Sequence, residues 1–308
     1  VHHGQSHETE DCLRRADEDG DDQDLSEIQN MATLLQHLSW LKDFFKVLFV
    51  GMDDIDIAAL MVLVQEMYAA HGITVETNFE SLRAEDYPIF SDLYEFIEQY
   101  DCKQSRLITA DMVSRLLLRL RECYDGTLSI IFNGTTNIKN AEMICFSVAE
   151  LLEGSKDRTQ AVLFNLTTWI WSQVMKRNRK IAFNIDELYL FFENPIMVKY
   201  ISSFVKRARK YEAMIGVSTQ QVIDCLRPDI EAYTTALFNN STYKFFFNPG
   251  AIDMDLIRDK LKLSAGEMES ISKPKQRQCL VKAGADRYYV EAGSFEFEKE
   301  LFGMAGGL

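Results

Sequence analysis

Residues 180–191 read KIAFNIDELYLF, which is the most informative stretch of the chain. An apolar, β-prone run ends there in two adjacent acids, Asp186 and Glu187. Carboxylates at the end of a buried strand lose solvation, which a metal ion, a proton donor or a bound water must replace. The stretch predicts either a magnesium-nucleotide site or an acid that caps the next helix. In the first interpretation, Asp186 orients Mg, often through water, and Glu187 polarises the water that attacks the γ-phosphate.

The next predicted strand, residues 214–220, also ends in polar side chains. Its apolar part is MIGV, and Ser218, Thr219, Gln220 and Gln221 follow. In open α/β sheets the carboxyl ends of neighbouring parallel strands meet at one edge. If the two strands are adjacent, the Gln220 amide lies beside the water held by Glu187 and senses the γ-phosphate. The alternative is that Gln220 caps a helix or stabilises a turn.

A basic run, KRARK at residues 206–210, lies between these two motifs at the end of a predicted helix. Cations at a helix C-terminus are stabilised by the helix dipole, so a solvated face is one interpretation. The other is that Arg207 or Arg209 reaches a nucleotide bound to a neighbouring subunit and neutralises charge during phosphoryl transfer. The sequence does not decide between the two arginines.

Alternating strands and helices surround these motifs from residue 126 onward. Apolar patterning predicts strands at 128–134, 141–151, 181–187, 214–220, 242–249, 277–283 and 287–293, the last two forming a hairpin through Gly284. It predicts helices at 158–177, 196–213, 229–241, 252–262 and 264–272. This alternation is typical of an α/β fold with a mainly parallel sheet covered on both faces.

The first part of the chain has a different pattern. Residues 31–125 carry apolar residues at helical spacing, with helix caps predicted at Asp53 or Asp54, Ser91 and Thr109. Residues 1–30 hold ten acids against two arginines and resemble a solvated loop or linker. The predicted domains are therefore an acidic linker at 1–30, a helical subdomain at 31–125 and an α/β core at 126–308.

Composition limits the class of protein. The 308 residues are 47% apolar and 26% charged, as in a soluble globular protein, and the net charge of −14 argues against a surface coated by nucleic acid. Six cysteines without CxxC spacing indicate reduced thiols in a cytosolic protein. No apolar run reaches the length of a membrane span, and no basic-then-apolar signal peptide opens the sequence.

Five segments in this order resemble the C-terminal half of the TraC/TraE-like, VirB-type conjugation ATPases, which belong to the HerA/FtsK branch of P-loop NTPases. The segments are SIIFNGTTNI (129–138), CFSVAEL (145–151), NIDELYLFF (184–192), VKRARKYEAMIGVSTQQV (205–222) and RQCLVKAGADRYYVEAGSFEFEKELF (277–302). The resemblance implies a RecA-like core with an inserted all-helical subdomain. It also implies a homo-hexamer using ATP and Mg at the cytoplasmic face of a type IV secretion channel, with channel and coupling proteins as partners.

By that resemblance, Asp186 is the magnesium-side acid, Glu187 the general base and Gln220 the sensor. Thr219 is assigned to the nucleotide site, and Arg209 or Arg207 acts in trans. One departure concerns the phosphate loop, because no GxxxxGK[ST] occurs between Val1 and Leu308. The chain also begins without Met. We expect the loop upstream of Val1 and weak ATP affinity for this chain alone; the alternative is a degenerate paralogue.

Three functions follow from these observations. The first is ATP hydrolysis that drives apparatus assembly or substrate transfer in a conjugative secretion system. The second is a DNA-translocating motor of the same superfamily, which requires basic or aromatic side chains facing a pore. The third is an interaction scaffold that has lost turnover. The acidic net charge disfavours the DNA motor but leaves direct DNA binding open.

Overall fold

A computed structural model describes residues 22–79, 81–139, 141–152, 154–220, 223–248, 254–272, 278–291 and 293–302. The chain divides into two compact units, Val1–Asn165 and Leu166–Leu308. This boundary falls inside a long helix, 40 residues after the predicted domain boundary at 125–126. The assignment of functional domains remains a prediction.

The first unit is helical. It is built around fully buried leucine and isoleucine side chains, among them Leu60, Leu63, Ile97 and Leu116. A short 3-10 turn lies at Ala84–Asp86. The helices are α1 (Asp22–Leu48), α2 (Asp54–Ala70), α3 (Phe90–Glu98), α4 (Ala110–Tyr124), α5 (Ser129–Phe132), α6 (Ala149–Leu152) and α7 (Lys156–Met175), of which α7 continues into the second unit.

Two of the predicted helix caps are confirmed and one is wrong. The Asp53 carboxylate accepts the Asp56 N–H at the start of α2, and the Thr109 hydroxyl accepts the Met112 N–H at the start of α4. Ser91 does not cap α3, because that helix already begins at Phe90 and the Ser91 N–H donates to the Asn133 side chain. Asp92 instead accepts the N–H of the residue before the helix.

Three further local predictions for this unit need correction. Residues 129–132 form α5 rather than a strand, and residues 141–148 are irregular before α6. A short apolar run fits one helical turn as well as a strand. In this turn Ile130 and Ile131 are exposed, and the buried Phe132 ring packs edge-on against Phe44 with 5.5 Å between ring centroids. Since α1 begins at Asp22, residues 22–30 of the predicted acidic loop are helical, while residues 1–21 lie outside the described part.

Two polar contacts inside this unit respond to acid. The Arg115 guanidinium donates to both carboxylate oxygens of Asp56, at 2.9 and 2.6 Å, and these bonds lower the pKa of Asp56. His37 Nε2 lies 2.9 Å from the Tyr68 hydroxyl, and burial lowers the pKa of His37 from 6.5 to about 4. Because both pKa values are lowered in the folded chain, protonation of His37 or Asp56 in acid favours the unfolded state.

We expect the unfolding free energy of the chain to fall by about 1–2 kcal/mol between pH 7 and pH 5 because of His37. Its pKa is lower in the folded than in the unfolded state, so this contribution is complete above pH 6.5 and is lost as the pH falls towards about 4. The Asp56 contribution is lost at still lower pH, since its pKa is also lowered. Urea titrations followed by circular dichroism would measure both.

The His37→Gln variant should show a smaller difference between pH 7 and pH 5, because an amide does not titrate. His71→Gln is the matched control, since His71 is exposed in the same unit. An unchanged pH difference in His37→Gln would contradict the assignment.

The second unit is an α/β structure. Strands β1 (Ala182–Ile185) and β2 (Met214–Val217) pair in parallel and are connected through α8 (Pro195–Ala208). Three more strands form an antiparallel sheet in the order β3-β4-β5. Those strands and the remaining helices are α9 (Glu231–Asn240), β3 (Tyr243–Phe246), α10 (Met254–Leu261), α11 (Ala265–Ser272), β4 (Gln278–Ala283), β5 (Asp286–Glu291) and α12 (Glu296–Phe302).

The predicted α/β class with a parallel sheet is confirmed in this unit, and the C-terminal strands are antiparallel. The predicted hairpin is confirmed as well: β4 and β5 meet across Gly284, whose φ of 62° suits a residue without a Cβ. Three short 3-10 segments join the elements, at Leu188–Glu193, Arg209–Tyr211 and Ile223–Leu226. Among the described helices, none is long and apolar enough to cross a bilayer.

Candidate active site

The carboxyl ends of β1 and β2 bring the predicted acid and amide side chains together. Ile185 pairs with Val217 at the end of the ladder, so Asp186 and Ser218 both follow at the next position. The Ser218 hydroxyl donates to Asp186 Oδ1 at 2.5 Å. The Leu188 N–H donates to the Ser218 carbonyl at 2.8 Å, which ties the loop after β1 to the end of β2. The expected adjacency of the two strands is therefore confirmed.

Glu187 has the most constrained geometry in this group. Its backbone is left-handed, with φ and ψ both 55°, a conformation that non-glycine residues rarely adopt. Its N–H donates to Asp186 Oδ1 at 3.1 Å, and the Gln220 side-chain amide donates to Glu187 Oε1. Glu187 Oε2 is buried without a hydrogen-bond partner among the described residues. One carboxylate oxygen is thus positioned by Gln220, and the other can accept a proton from a bound molecule.

The structure brings together three of the predicted site residues, Asp186, Glu187 and Gln220, at this edge. Thr219 lies between Ser218 and Gln220 in the sequence and is half-buried. Its contact with a nucleotide remains a prediction. Ser218 was placed with Thr219, Gln220 and Gln221 at the end of its strand, but no role was predicted for it; Gln221 lies outside the described residues. The strand register could have identified its role, because Ser218 is the first residue after β2, as Asp186 is the first residue after β1.

Arg207 and Arg209 lie at the other end of the strand pair. Helix α8 starts after the loop that carries the acids and returns to the start of β2, which Arg209–Tyr211 directly precedes. Counted along β2 at the rise per residue of an extended strand, the distance from Tyr211 to the edge that carries Glu187 is roughly 20 Å. That distance exceeds the length of an arginine side chain, so neither arginine reaches the acids of its own chain.

The two arginines differ in their surroundings. The Arg207 guanidinium lies 5.7 Å from the Trp171 ring centroid and 5.5 Å from that of Tyr211, and it donates to the Tyr211 hydroxyl at 2.9 Å. Trp171 itself stacks on Phe204 at 4.3 Å. Arg209 is exposed, and within the described part of the chain its side chain has no hydrogen bond, ion pair or aromatic contact. Arg207 is held in place, whereas Arg209 is available to another molecule.

The oxygen atoms at this edge suit Mg²⁺ bound together with a phosphate. Mg²⁺ is held by one or two carboxylates, with water and substrate oxygens completing its coordination. Asp186 is exposed, and the Ser218 hydroxyl lies beside its carboxylate. In the described ranges, no group of three or more His, Cys, Asp or Glu side chains could hold a metal ion by itself. The residues therefore fit a nucleotide-associated ion rather than a cage made only of protein ligands.

Polar side chains gathered at the carboxyl edge of parallel strands are typical of α/β folds that bind ligands at this edge. The structure of VirB4 of Thermoanaerobacter pseudethanolicus matches this chain with a TM-score of 0.79 and 25% sequence identity, over 87% of this chain and 71% of that chain. The predicted resemblance to VirB-type conjugation ATPases and the predicted RecA-like fold are thereby confirmed.

Two structures of the plasmid coupling protein TrwB show a more distant similarity. The unbound form of TrwBΔN70 gives a TM-score of 0.48 at 13% identity, over 83% of this chain and 68% of that chain. TrwB in complex with the non-hydrolysable ATP analogue ADPNP gives 0.47 at 14% identity, with the same coverage of 83% and 68%. No protein-family model matches the sequence, and no curated protein sequence does either.

Proposed function

We propose that this chain supplies the acid and sensor part of an ATP-hydrolysing site in a type IV secretion ATPase of the VirB4 kind. Glu187 is the general base for the attacking water, and Gln220 orients Glu187 and reports the state of the γ-phosphate. Asp186 and Ser218 lie on the magnesium side, and Thr219 borders the nucleotide. The similarity to VirB4 over 87% of the chain supports the class of enzyme.

The observation that carries this proposal is the buried Glu187 Oε2 atom, which lacks a hydrogen-bond partner among the described residues. A buried carboxylate oxygen without a partner is destabilising unless a bound molecule completes its hydrogen bonding. The other oxygen accepts from Gln220, so the carboxylate cannot rotate away without losing that bond. A water molecule bonded to Oε2 would be held by the base that removes its proton.

The remaining chemistry is electrostatic. Bound Mg²⁺ supplies positive charge that offsets the negative charge developing on the phosphate oxygens. The Ser218 hydroxyl and the Glu187 N–H both donate to Asp186 Oδ1, which orients the Asp186 carboxylate. Arg209 acts in trans, because it lies at the opposite edge from the acids of its own chain and is exposed.

A residue that acts in trans requires an assembly. We therefore propose a homo-hexamer at the cytoplasmic face of the membrane, associated with the channel and coupling proteins of the secretion apparatus. Hydrolysis in one subunit would change its contact with Arg209 of the next and so drive apparatus assembly or substrate transfer. The exposed position of Arg209 and the fold similarity to VirB4 support this arrangement.

The test is ATP hydrolysis by the full-length gene product, measured as phosphate release. Turnover should require Mg²⁺, so EDTA should abolish it and added MgCl₂ should restore it, because the negative charges of the triphosphate and of the site's carboxylates repel one another unless the ion offsets them. Circular dichroism in EDTA should stay unchanged, which would separate loss of catalysis from unfolding. Hydrolysis that continues at the same rate in EDTA would contradict the proposal.

A further inference from the structure

Strand β5 forms an open edge of the antiparallel sheet. In the described part of the chain the strand order is β3-β4-β5, so β5 pairs with β4 on one side and with no strand on the other. All six of its residues are exposed. The strand contains neither Pro nor Lys, residues that often keep a sheet edge from pairing with another chain. Its outer N–H and C=O groups are therefore able to bond to a further strand.

The turn before β5 determines which of its backbone groups face outward. Residues 284–285 form a two-residue turn between β4 and β5. Residues that flank such a turn bond to each other, and bonded and non-bonded pairs then alternate along the ladder. Since Asp286 follows the turn directly, the even-numbered residues of β5 bond to β4. Arg287, Tyr289 and Glu291 direct their N–H and C=O groups away from it.

The sequence of β5, DRYYVE, is complementary to itself when two copies run antiparallel. If the alignment is centred on Tyr289, Arg287 of each copy lies opposite Glu291 of the other, which makes two ion pairs related by symmetry. Tyr288 lies opposite Val290, and the two Tyr289 residues lie opposite each other. Cross-strand pairs of opposite charge, and of aromatic with β-branched side chains, stabilise antiparallel sheets. This alignment also brings the outward-facing backbone groups of the two strands opposite each other.

Two neighbouring alignments fit less well. Centring on Tyr288 places Arg287 opposite Tyr289, so both ion pairs are lost. Centring between Tyr288 and Tyr289 places Asp286 opposite Glu291, and like charges directly opposite each other are destabilising. That alignment also sets residues that bond to β4 against residues that face outward. Charge and hydrogen bonding therefore favour the alignment centred on Tyr289.

Both charged side chains retain atoms for a contact with a second copy. Arg287 Nε lies 2.8 Å from Glu267 Oε1 of its own chain, and its terminal nitrogens donate no hydrogen bond within the described ranges. Glu291 Oε2 accepts a hydrogen bond from Gln278 Nε2 at 3.1 Å, and Oε1 has no partner among the same residues. Each side chain is thus held in position by its own sheet and still has a charged atom that can bind outside it.

One face of the same sheet is apolar and open. The face with Leu280 packs against α10 and α11, whereas the opposite face carries the exposed side chains of Tyr243, Phe245, Tyr288 and Val290. Because Tyr288 and Val290 lie opposite one another in the alignment, the apolar faces of two copies become one continuous surface. Exposed apolar patches of this kind commonly mark interaction sites.

We propose that two copies of this chain associate by antiparallel pairing of β5 with β5, in the alignment centred on Tyr289. The two three-stranded sheets become one sheet of six strands, and a two-fold axis passes between the two Tyr289 residues. The contact uses neither the acids after β1 nor Arg209, so it goes beyond the proposed function and occupies a separate surface. Because the strand is short, the interface is small and the dissociation constant lies in the micromolar range.

The experiment reverses two charges of β5, separately and together, in this 308-residue chain. Sedimentation velocity between about 1 and about 300 µM protein would measure the dissociation constants of the wild type, Arg287→Glu, Glu291→Arg and the variant with both changes. Circular dichroism would check that each variant is folded, since Arg287 also pairs with Glu267 in its own chain. The control is Glu76→Arg with Lys103→Glu, which makes the same two changes at exposed residues of the helical unit.

We expect the wild type and the control to form dimers in this concentration range. Each single change places two pairs of like charges opposite each other, so both variants should associate at least about tenfold more weakly. The variant with both changes should recover association, because the charges are exchanged and attract again. An equimolar mixture of Arg287→Glu and Glu291→Arg should recover as well, since one copy then offers two acids and the other two cations.

Cysteine substitution would test the alignment itself. In the proposed pairing the two copies of residue 289 form a bonded pair, whose Cα atoms lie about 5.5 Å apart, a distance that a disulfide spans. Oxidation of Tyr289→Cys with copper phenanthroline should therefore yield a covalent dimer on a non-reducing gel. Tyr288→Cys should not, because Val290 is its neighbour in the second copy, and the wild type measures the background from the native cysteines.

Four results would overturn the inference. The wild type could stay monomeric up to about 300 µM, either single variant could associate as strongly as the wild type, the folded variant with both changes could fail to recover, or Tyr288→Cys could cross-link as fully as Tyr289→Cys. A monomeric wild type would mean that this edge is occupied by another part of the protein or by a different partner. None of these measurements depends on Glu187, so hydrolysis that persists in Glu187→Gln would refute the proposed function without affecting this result.

Discussion

Replacing Glu187 with glutamine is expected to lower kcat for ATP hydrolysis in the full-length gene product by about a hundredfold to ten-thousandfold, while ATP affinity stays nearly constant. The glutamine amide has the same shape as the carboxylate, and its oxygen can still accept the hydrogen bond from Gln220. It cannot accept a proton from water, so only the chemical step is lost. Phosphate release and equilibrium binding of a fluorescent ATP analogue would measure the two quantities separately.

The matched control is Glu66→Gln, which removes one exposed carboxylate from the helical unit and should leave turnover unchanged. Gln220→Ala provides a second comparison. If Gln220 acts by orienting Glu187, then removing the amide from the Glu187→Gln variant should have little further effect on kcat. Full hydrolysis in Glu187→Gln would exclude Glu187 as the base.

Arg209→Ala is expected to reduce hydrolysis by about a hundredfold or more in the assembled protein, because a trans-acting guanidinium stabilises charge that develops in the transition state. The decisive measurement mixes Arg209→Ala subunits with Glu187→Gln subunits. Each variant alone should be at least about a hundredfold less active than the wild type, but a mixed interface joins an intact Glu187 from the first to an intact Arg209 from the second. Hydrolysis that reappears on mixing would show action between subunits.

No recovery on mixing, despite normal co-assembly, would contradict action in trans. Arg207→Ala serves as the comparison, because Arg207 contacts Trp171 and Tyr211 within its own chain. Its loss should lower the unfolding free energy by about 1 kcal/mol and affect turnover less than the loss of Arg209. A larger effect of Arg207→Ala on turnover would reverse the assignment of the two arginines.

The juxtaposition of Asp186, Glu187 and Gln220 could be predicted from the sequence because these residues follow their strands directly. An apolar run that stops at two acids, and a second run that stops at Ser218 and Gln220, each mark the end of a buried strand. Parallel pairing then brings both ends to one edge, as the register from Ala182–Met214 to Ile185–Val217 shows. This part of the molecule was predictable because the apolar pattern of each strand is clear and the polar residues follow it directly in the sequence.

The apolar segments at 128–134 and 141–151 were mispredicted for the opposite reason. Their β-branched and aromatic residues fit a strand, but a strand also needs a partner with matching register, and local sequence does not specify one. In the structure, Phe132 packs against Phe44, and Asn133 bonds to Ser91 and to the Tyr124 carbonyl. The contacts with Phe44 and Ser91 join residues 88 and 42 positions apart, which no local pattern reveals.

The sequence also did not indicate why we propose Arg209, rather than Arg207, as the residue that acts in trans. Both arginines have the same chemistry and lie two positions apart in a basic run. Only the surroundings distinguish them, since the contacts of Arg207 come from Trp171 on α7 and from Tyr211. Predicting those contacts would have required the packing of α7 against α8.

The left-handed backbone at Glu187 implies a trade-off between folding and catalysis at that position. Glycine would adopt a φ of 55° without hindrance, whereas glutamate in this conformation is disfavoured by about 1 kcal/mol. A chain optimised for thermal resistance alone would therefore favour glycine there and would lack the carboxylate that we propose as the proton acceptor. With glutamate at this position, the free energy of unfolding is slightly lower than it would be with a residue that adopts this backbone conformation freely.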